Sequence, residues 1–84
     1  MDDTGMGRRI RSRRMQLGIG LRELARRARL EPSQLSKIER GLSPEIRTGT
    51  LRRLAYHLGV TADWLLGPYE EDRETESEFS ATLA

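Results

Sequence analysis

The sequence predicts an all-α fold of five short helices within one compact domain. Apolar residues recur at helical spacing, most regularly over residues 51–58, where leucine and alanine occupy positions i, i+3, i+4 and i+7. Glycine, which readily adopts the left-handed conformation that ends a helix, follows three of the helical segments. The chain has 84 residues, a length that suits a single small domain.

The first three helices have recognisable borders. Helix 1 is predicted over about 6–17 and helix 2 over about 21–28. Arg13 interrupts the apolar stripe of helix 1, so we expect its aliphatic stem to cover the edge of the core while the guanidinium reaches water or phosphate. Helix 3 begins at Pro32, because proline suits the first helical position, and ends at Gly41.

The last two helices follow a loop rich in turn-forming residues. Thr48 is expected to cap helix 4, which Gly59 ends, and Thr61 is expected to cap a short fifth helix, ADWLL. Trp64 in this last helix is expected to lie mostly in the core, and a dimer contact is the alternative. The residues predicted to face inward are Met6, Ile10 and Leu17 in helix 1, Leu24, Ala25 and Ala28 in helix 2, Leu35 and Ile38 in helix 3, Leu51, Leu54, Ala55 and Leu58 in helix 4, and Ile46 in the loop.

Helix 3 carries opposite chemistry on its two sides. At 100° per residue, Leu35 and Ile38 point one way, whereas short polar and cationic side chains cluster on the other side. Such a stripe suits a helix in the DNA major groove, where small polar groups reach base edges and cations meet phosphates. Helices 2 and 3 therefore read as a DNA-binding helix-turn-helix. The polar side consists of Ser33, Ser36, Lys37 and Arg40.

The net charge of +2 conceals a strong asymmetry along the chain. Residues 6–67 hold 14 Lys or Arg against 5 Asp or Glu, a net charge of +9, whereas residues 68–84 carry −5. A basic domain of this size favours a polyanionic partner, above all nucleic acid, although a solvated arginine surface that aids solubility is the alternative. The expected organisation is a flexible arm over 1–5, a DNA-binding domain over 6–67 and an acidic, disordered tail over 68–84.

Other functional classes have little support in the sequence. There is no cysteine and only one histidine, His57, which lies off the apolar stripe of helix 4 and is expected at the surface. We expect no metal, no cofactor and no small-molecule ligand, and the absence of nucleophile, phosphate-loop and zinc motifs argues against an enzyme. Neither a signal peptide nor a membrane span is evident, so a cytoplasmic location is expected.

Four blocks in order give the chain a family resemblance. They are RIRSRRMQLG (9–18), ELA (23–25), SKIERG (36–41) and LGVTADWLL (58–66). The chain resembles the lambdoid phage repressor and Cro family, also called Xre-type helix-turn-helix proteins, over about residues 6–67. The resemblance implies a five-helix, lambda-repressor-like DNA-binding domain.

The resemblance also implies roles for single residues. The family pairs an arginine late in helix 1 with a glutamate in helix 3, which here correspond to Arg14 and Glu39; the alternative is two solvated surface charges of little energetic weight. Base-reading positions correspond to Pro32, Ser33, Gln34 and Lys37. Positions expected at the DNA backbone are Arg14, Leu21, Arg22, Ser36, Arg40 and Arg47.

The sequence departs from the family pattern at several of these positions. Leu21 and Pro32 stand where the family usually has glutamine, and neither side chain donates a hydrogen bond. Leu21 is expected to pack, and Pro32 either meets a thymine methyl or simply initiates the helix. Glu31, before helix 3, either favours the helix dipole or accepts from a cytosine amino group. Arg29 replaces the usual glycine of the turn, which is therefore either strained or differently shaped.

Together these features predict a transcriptional regulator. The specific expectation is a repressor that binds a palindromic operator in double-stranded DNA as a homodimer, with helix 3 in the major groove. The alternative is a protein-interaction module, such as an antitoxin-like or regulator-docking protein, whose basic face meets an acidic protein.

Overall fold

The computed structural model describes residues 5–43 and 45–67, which form five α-helices and no strand. The all-α, five-helix prediction is confirmed. None of these helices is long and apolar enough to cross a membrane. Most of the expected arm and all of the acidic tail lie outside the described residues, so the division into arm, domain and tail stays a prediction. The helices are α1 (Met6–Gln16), α2 (Leu21–Arg27), α3 (Pro32–Glu39), α4 (Thr48–Leu58) and α5 (Ala62–Leu66).

All five helices contribute to one small apolar core. Helix α1 packs against α3, α4 and α5, while α2 packs against α3 and α4. Since the helices are short, each presents only one to three side chains inward, and α3 is held between α1 and α2 with its other side left exposed. The buried apolar residues are Ile10, Leu24, Ala25, Ala28, Leu35, Ile38, Leu54, Ala55, Leu58 and Leu65.

Four helices end in the same hydrogen-bonded turn, in which a residue with positive φ closes the last turn of the helix. Gly18, Gly41 and Gly59 take this position after α1, α3 and α4, with φ of 71°, 77° and 70°. At each of these turns the following amide donates back to a carbonyl five residues earlier, as from Ile19 to Arg14. The glycine signals in the sequence therefore marked these three helix ends correctly.

Arg29 occupies the equivalent position after α2, with φ of 63°. The Arg29 amide donates to the Arg26 carbonyl at 3.1 Å, and the Leu30 amide donates to the Ala25 carbonyl at 2.8 Å. The turn between α2 and α3 thus keeps the geometry of the glycine-ended turns although its residue has a Cβ atom. Of the two alternatives left by the sequence, the strained one is correct, because a non-glycine residue is disfavoured at this φ.

Helix α1 crosses the carboxyl end of α3 at Gly7, which is buried. A Cβ atom on Gly7 would overlap the carbonyl oxygen of Ile38 and would lie 2.8 Å from that of Glu39. Only glycine allows the two backbones to approach this closely. Gly7 therefore fixes the distance between α1 and the end of α3.

Three expectations about single residues are wrong. Thr48 does not cap α4, because α4 begins at Thr48 itself and Arg47 is the N-cap residue, without a side-chain capping bond. Leu17 lies beyond the last turn of α1 and is 43% exposed, so Met6 and Ile10 alone represent the predicted stripe. Trp64 is 46% exposed, since the short α5 turns its neighbour Leu65 into the core instead. The Thr61 cap is present, with the Trp64 amide donating to Thr61 Oγ1 at 3.0 Å.

Candidate nucleic-acid interface

Helix α3 has one buried and one exposed side, as its sequence pattern indicates. Leu35, Ile38 and Glu39 are buried between α1 and α2. Four of the polar residues singled out on this helix are exposed and one is half-buried. The exposed residues are Ser33, Gln34, Lys37 and Arg40, and the half-buried one is Ser36. The outer side of α3 is therefore a continuous polar and cationic surface.

Gln34 is exposed, but part of its side chain is already engaged by the protein. The backbone amide of Glu31, the N-cap residue of α3, donates to Gln34 Oε1 at 2.8 Å. This bond satisfies an amide at the start of the helix that lacks an intrahelical partner. Glu31 itself is exposed, and Pro32 is the first helical residue and half-buried, so the helix-initiating interpretation of Pro32 matches its place.

Arg14 and Glu39 form a two-bond ion pair beneath the exposed side of α3. Arg14 Nε donates to Glu39 Oε2 at 2.7 Å, and Nη2 donates to Oε1 at 3.0 Å. Nη1 donates to the Ile19 carbonyl at 3.0 Å. Only 13% of the Arg14 side chain and 6% of the Glu39 side chain are exposed. The hydrogen bond to Glu39 raises the pKa of Arg14 above its ordinary value, so the guanidinium stays charged.

The geometry of this pair bears on the role expected of Arg14 at the DNA backbone. All three guanidinium nitrogens already donate within the protein, and little of the side chain reaches the surface. Arg14 thus supports α3 from its buried side, because a two-bond arginine–carboxylate pair fixes both partners in one orientation. These bonds use three of the five N–H groups of the guanidinium, so its contact with the DNA backbone stays a prediction.

Two further arginines bind main-chain carbonyls at helix ends. Arg13 Nε donates to the Leu58 carbonyl at 2.8 Å, which joins α1 to the end of α4. Arg53 Nε donates to the Ala28 carbonyl at 2.9 Å, which joins α4 to the turn that precedes α3. Arg13 Nη1 donates to Gln16 Oε1 at 3.1 Å in an exposed bond, so the Arg13 guanidinium reaches the surface as expected while its Nε joins two helices. Part of the positive charge of residues 6–67 serves the fold rather than the surface.

Other cations remain at the surface around α3. Arg22 on α2 and Arg47 before α4 are exposed, as is Arg40, whose Nε makes only a long 3.4 Å bond to the Ser36 carbonyl. Lys37 and Arg47 line the same open cleft between α3 and the segment that leads into α4. Cations that flank one helix on several sides suit a phosphate backbone that runs along both edges of a groove.

Leu21 differs from the other residues expected at the DNA backbone. It is half-buried and packs against the core, as the sequence interpretation of its side chain proposed. Its side chain therefore contributes to the attachment of α2 rather than to a polar contact. Only the main chain at the start of α2 remains available for the contact with the DNA backbone that the resemblance implies.

Helix α2 carries a small exposed network of charges. Glu23 Oε2 accepts from Arg26 Nη2 at 2.5 Å and from Arg27 Nε at 2.7 Å. Hydrogen bonds from Arg26 and then Arg27 lower the pKa of the Glu23 carboxyl, which stays ionised at neutral pH. Because Glu23 offsets only one of the two arginine charges, this network keeps a net charge of +1, and Arg22 adds a second positive charge outside it.

Sequence reasoning missed two residues that position the surface of α3. Gly7 sets the approach of α1 to the end of α3, and Arg53 holds the turn before its start. A glycine at the second position of a helix is a weak indication of a close helix crossing, because glycine is unfavourable within helices and such a position is otherwise better filled by another residue. Nothing in local periodicity indicates the Arg53 contact, whose partners are 25 residues apart.

Comparison with known families identifies this architecture. A family model described as a helix-turn-helix domain matches residues 7–71. The match extends from the second residue of α1 to beyond the end of α5.

Solved structures of regulators share the fold. ClgR, the clp gene regulator of Corynebacterium glutamicum, superimposes with a TM-score of 0.68 at 35% sequence identity, covering 71% of this chain and 63% of ClgR. The chain therefore spans less than two thirds of that regulator. SinR, a master regulator of biofilm formation solved in complex with DNA, gives 0.68 at 35% identity and covers 71% of this chain and 95% of SinR. A chain of the SinR–SinI protein complex gives 0.72 at 31% identity, covering 94% and 79%.

Proposed function

This chain belongs to the Xre-type helix-turn-helix family of DNA-binding transcriptional regulators, and from that premise we propose that it is a repressor of palindromic operators. It would act in the cytoplasm, where bacterial or phage DNA lies. The observation that carries the proposal is the exposed polar side of α3, with Ser33, Gln34 and Lys37 facing outward while Leu35 and Ile38 anchor the helix. The DNA-bound structure of its relative SinR supports DNA as the partner.

Base recognition is assigned to the first two turns of α3. Ser33, Gln34 and Lys37 are exposed and have side chains that hydrogen-bond to base edges in the major groove. Lys37 suits guanine, which presents two acceptors there. Pro32 is assigned to helix initiation, with its ring at the edge of the groove as a second, apolar contact.

Phosphate contacts are assigned to groups on either side of α3. Arg40 and Ser36 lie on its outer side, Arg22 lies at the start of α2, and Arg47 lines the same cleft as Lys37. These contacts supply most of the affinity and make it depend on salt. Arg14 supports α3 through its pair with Glu39 and has two N–H groups left for a phosphate.

The small surface that contacts base edges favours binding to DNA as a homodimer. One short recognition helix contacts only a few base pairs, so two copies on half-sites about 34 Å apart are needed for useful specificity. Helix α5 offers an apolar contact surface, because Trp64 and Leu66 are 46% and 53% exposed. Such a surface is small, so dimerisation is expected chiefly on DNA.

The test is selection of bound sites from random double-stranded DNA, followed by footprinting of the best sequence. The proposal expects an inverted repeat, two protected half-sites one helical turn apart, and binding that weakens steeply with salt. Enrichment of a single unsymmetric half-site would contradict the homodimer. Placing the operator across a promoter in a transcription assay then separates repression, which lowers the transcript level, from activation.

A protein-interaction module is the second candidate, and one observation favours it. A chain of the SinR–SinI complex, an assembly of two proteins, aligns with 94% of this chain. The exposed Trp64 and Leu66 would suit such a partner surface. If the chain enriches no DNA sequence and its DNA affinity is equal on all sequences, this second function is favoured over the first.

A further inference from the structure

The hydrogen bond between Glu31 and Gln34 determines which part of the Gln34 side chain faces outward. A backbone N–H group can only donate, so the side-chain atom 2.8 Å from the Glu31 nitrogen must be the carbonyl oxygen of the amide. This partner settles the orientation of the amide group, which is otherwise ambiguous for glutamine. With Oε1 bound to the Glu31 amide, the exposed Gln34 side chain still has the two N–H groups of Nε2 to offer to a partner.

We infer that Gln34 acts in base recognition chiefly as a donor, and that it therefore prefers guanine to adenine at the base pair it contacts. This inference rests on the proposed binding of α3 in the major groove. A free glutamine recognises adenine with two bonds, donating to N7 and accepting from the N6 amino group. In this protein Oε1 already accepts from the Glu31 amide, which uses one of its two lone pairs and fixes the orientation of the amide group, so the second bond to adenine is weakened.

The remaining donors match the guanine edge. Guanine presents two acceptors in the major groove, N7 and O6, whereas adenine places an amino group beside its one acceptor. The two N–H groups of Nε2 meet two acceptors on guanine, but one acceptor and an amino group on adenine. Desolvating that amino group against a weakened acceptor is unfavourable, which makes the capping bond a source of discrimination.

The backbone at Glu31 provides a direct way to break this bond. Glu31 has φ of −73° and ψ of 146°, which a proline residue adopts and which a residue before Pro32 requires. Glu31→Pro therefore removes the donor N–H and frees Gln34 Oε1 without a change of backbone conformation. Glu31→Ala is the matched control, since it removes the same side chain and keeps the N–H group.

A second variant tests the inference while preserving the start of the helix. Gln34→Glu keeps an oxygen that accepts from the Glu31 amide, and a glutamate at this position favours the positive end of the helix. It replaces the outward donors with a carboxylate oxygen, an acceptor. The preferred base at this pair should then change from guanine to a base with an amino group, cytosine or adenine.

The experiment is site selection from random duplex DNA with the wild type, Gln34→Ala and the three variants above, after thermal melts show that each is folded. The contacted base pair is the one whose preference disappears in Gln34→Ala. We expect guanine there for the wild type and Glu31→Ala, and a shift of about tenfold toward adenine for Glu31→Pro.

Three results overturn the inference while leaving the proposed function intact. The first is that the wild type prefers adenine at the contacted base pair. The second is that Glu31→Pro and Glu31→Ala have the same base preferences. The third is that Gln34→Ala has the same base preferences as the wild type at every position. Failure of the proposed function looks different, because the wild type would then enrich no sequence at all. That outcome overturns both.

Discussion

Arg14 and Glu39 connect the end of α1 to the end of α3 through two parallel hydrogen bonds, of 2.7 and 3.0 Å. The third nitrogen of the guanidinium binds the Ile19 carbonyl, in the turn before α2. One side chain therefore links the three segments that surround the helix-turn-helix. Because Glu39 is the last residue of α3, the pair also fixes the direction in which the exposed side of that helix points.

Arg14→Ala is expected to destabilise the fold. It leaves the buried Glu39 carboxylate without its partner and the Ile19 carbonyl without a donor, a loss of about 2–4 kcal/mol in the free energy of unfolding. Urea denaturation measures this loss. Arg11→Ala, which removes an exposed cation from the same helix, serves as the control and should change stability by less than about 0.5 kcal/mol. If Arg14→Ala has the stability of the wild type but a reduced salt dependence of DNA binding, the main role of Arg14 is a contact with the DNA backbone.

Arg29→Gly is expected to stabilise the protein by about 1 kcal/mol, because glycine adopts a φ of 63° without a clash of its own. Gly18→Ala is the reverse change at the equivalent position after α1. A Cβ atom there would meet nothing within 4 Å, so only the backbone conformation opposes it, and a loss of about 1 kcal/mol is expected. Thermal melts of both variants check the pair. A loss of stability in Arg29→Gly would show that the arginine side chain has a stabilising contact that outweighs the strain.

Gly7→Ala is expected to lower stability by about 1–3 kcal/mol, because the added methyl group meets the carbonyl oxygens of Ile38 and Glu39. Gly49→Ala is a well-matched control, since Gly49 is likewise the second residue of an 11-residue helix. Its Cβ atom would lie 3.5 Å from Arg53 Nη1, an ordinary contact, so the helix preference of alanine should stabilise by up to about 1 kcal/mol. Equal effects of the two substitutions in denaturation experiments would exclude a tight crossing at Gly7.

Most of the helix borders could be predicted because their causes are local. A glycine with positive φ ends α1, α3 and α4, and a proline begins α3, and each of these effects depends on one residue and its immediate neighbours. The Arg14 and Glu39 contact came instead from the family resemblance, since no local rule joins residues 25 positions apart. The lambda-repressor-like arrangement of the helices also came from the resemblance, whereas the five helices themselves followed from apolar spacing and turn residues.

The remaining features depend on tertiary packing. The Arg13 bond to the Leu58 carbonyl forms only after α1 and α4 are adjacent, so periodicity could not distinguish it from a solvated arginine. In α5, the five-residue length leaves room for one inward side chain, and packing selects Leu65 rather than the larger Trp64. Thr48 was mistaken for a cap because threonine is common there, whereas the helix starts one residue earlier than that interpretation requires.

The Glu23 network should be visible in a pH titration. The pKa of the Glu23 carboxyl is lowered, which means that the folded protein binds this proton less tightly than the unfolded chain does. The stabilising effect of the network is therefore present above the ordinary glutamate pKa and is lost as pH falls through the lowered pKa. NMR titration of the Glu23 carboxyl measures the pKa directly. Arg26→Ala should raise it toward the ordinary value, and Arg27→Ala should raise it less. An unchanged value in both variants would show that the two bonds do not persist in solution.

Lys37→Ala and Arg40→Ala should affect DNA binding in different ways. Both residues are exposed on α3, but Lys37 lies in its second turn, where base edges are reached, whereas Arg40 lies just beyond the helix. Lys37→Ala should cost about 1–3 kcal/mol on the selected operator and relax its preference at one or two base pairs. Arg40→Ala should weaken binding to all sequences alike and reduce the slope of log affinity against log salt by about one unit.

Titrations of the operator and of a scrambled duplex at several salt concentrations separate the two roles. Arg8→Ala, on the exposed surface of α1, controls for the simple loss of a positive charge and should leave the operator preference unchanged. If Lys37→Ala lowers affinity equally for operator and scrambled DNA, Lys37 contacts phosphate, and base recognition then rests on Ser33 and Gln34. If Arg40→Ala instead alters the preferred sequence, Arg40 contacts a base edge. The part of α3 that contacts bases then extends beyond its first two turns.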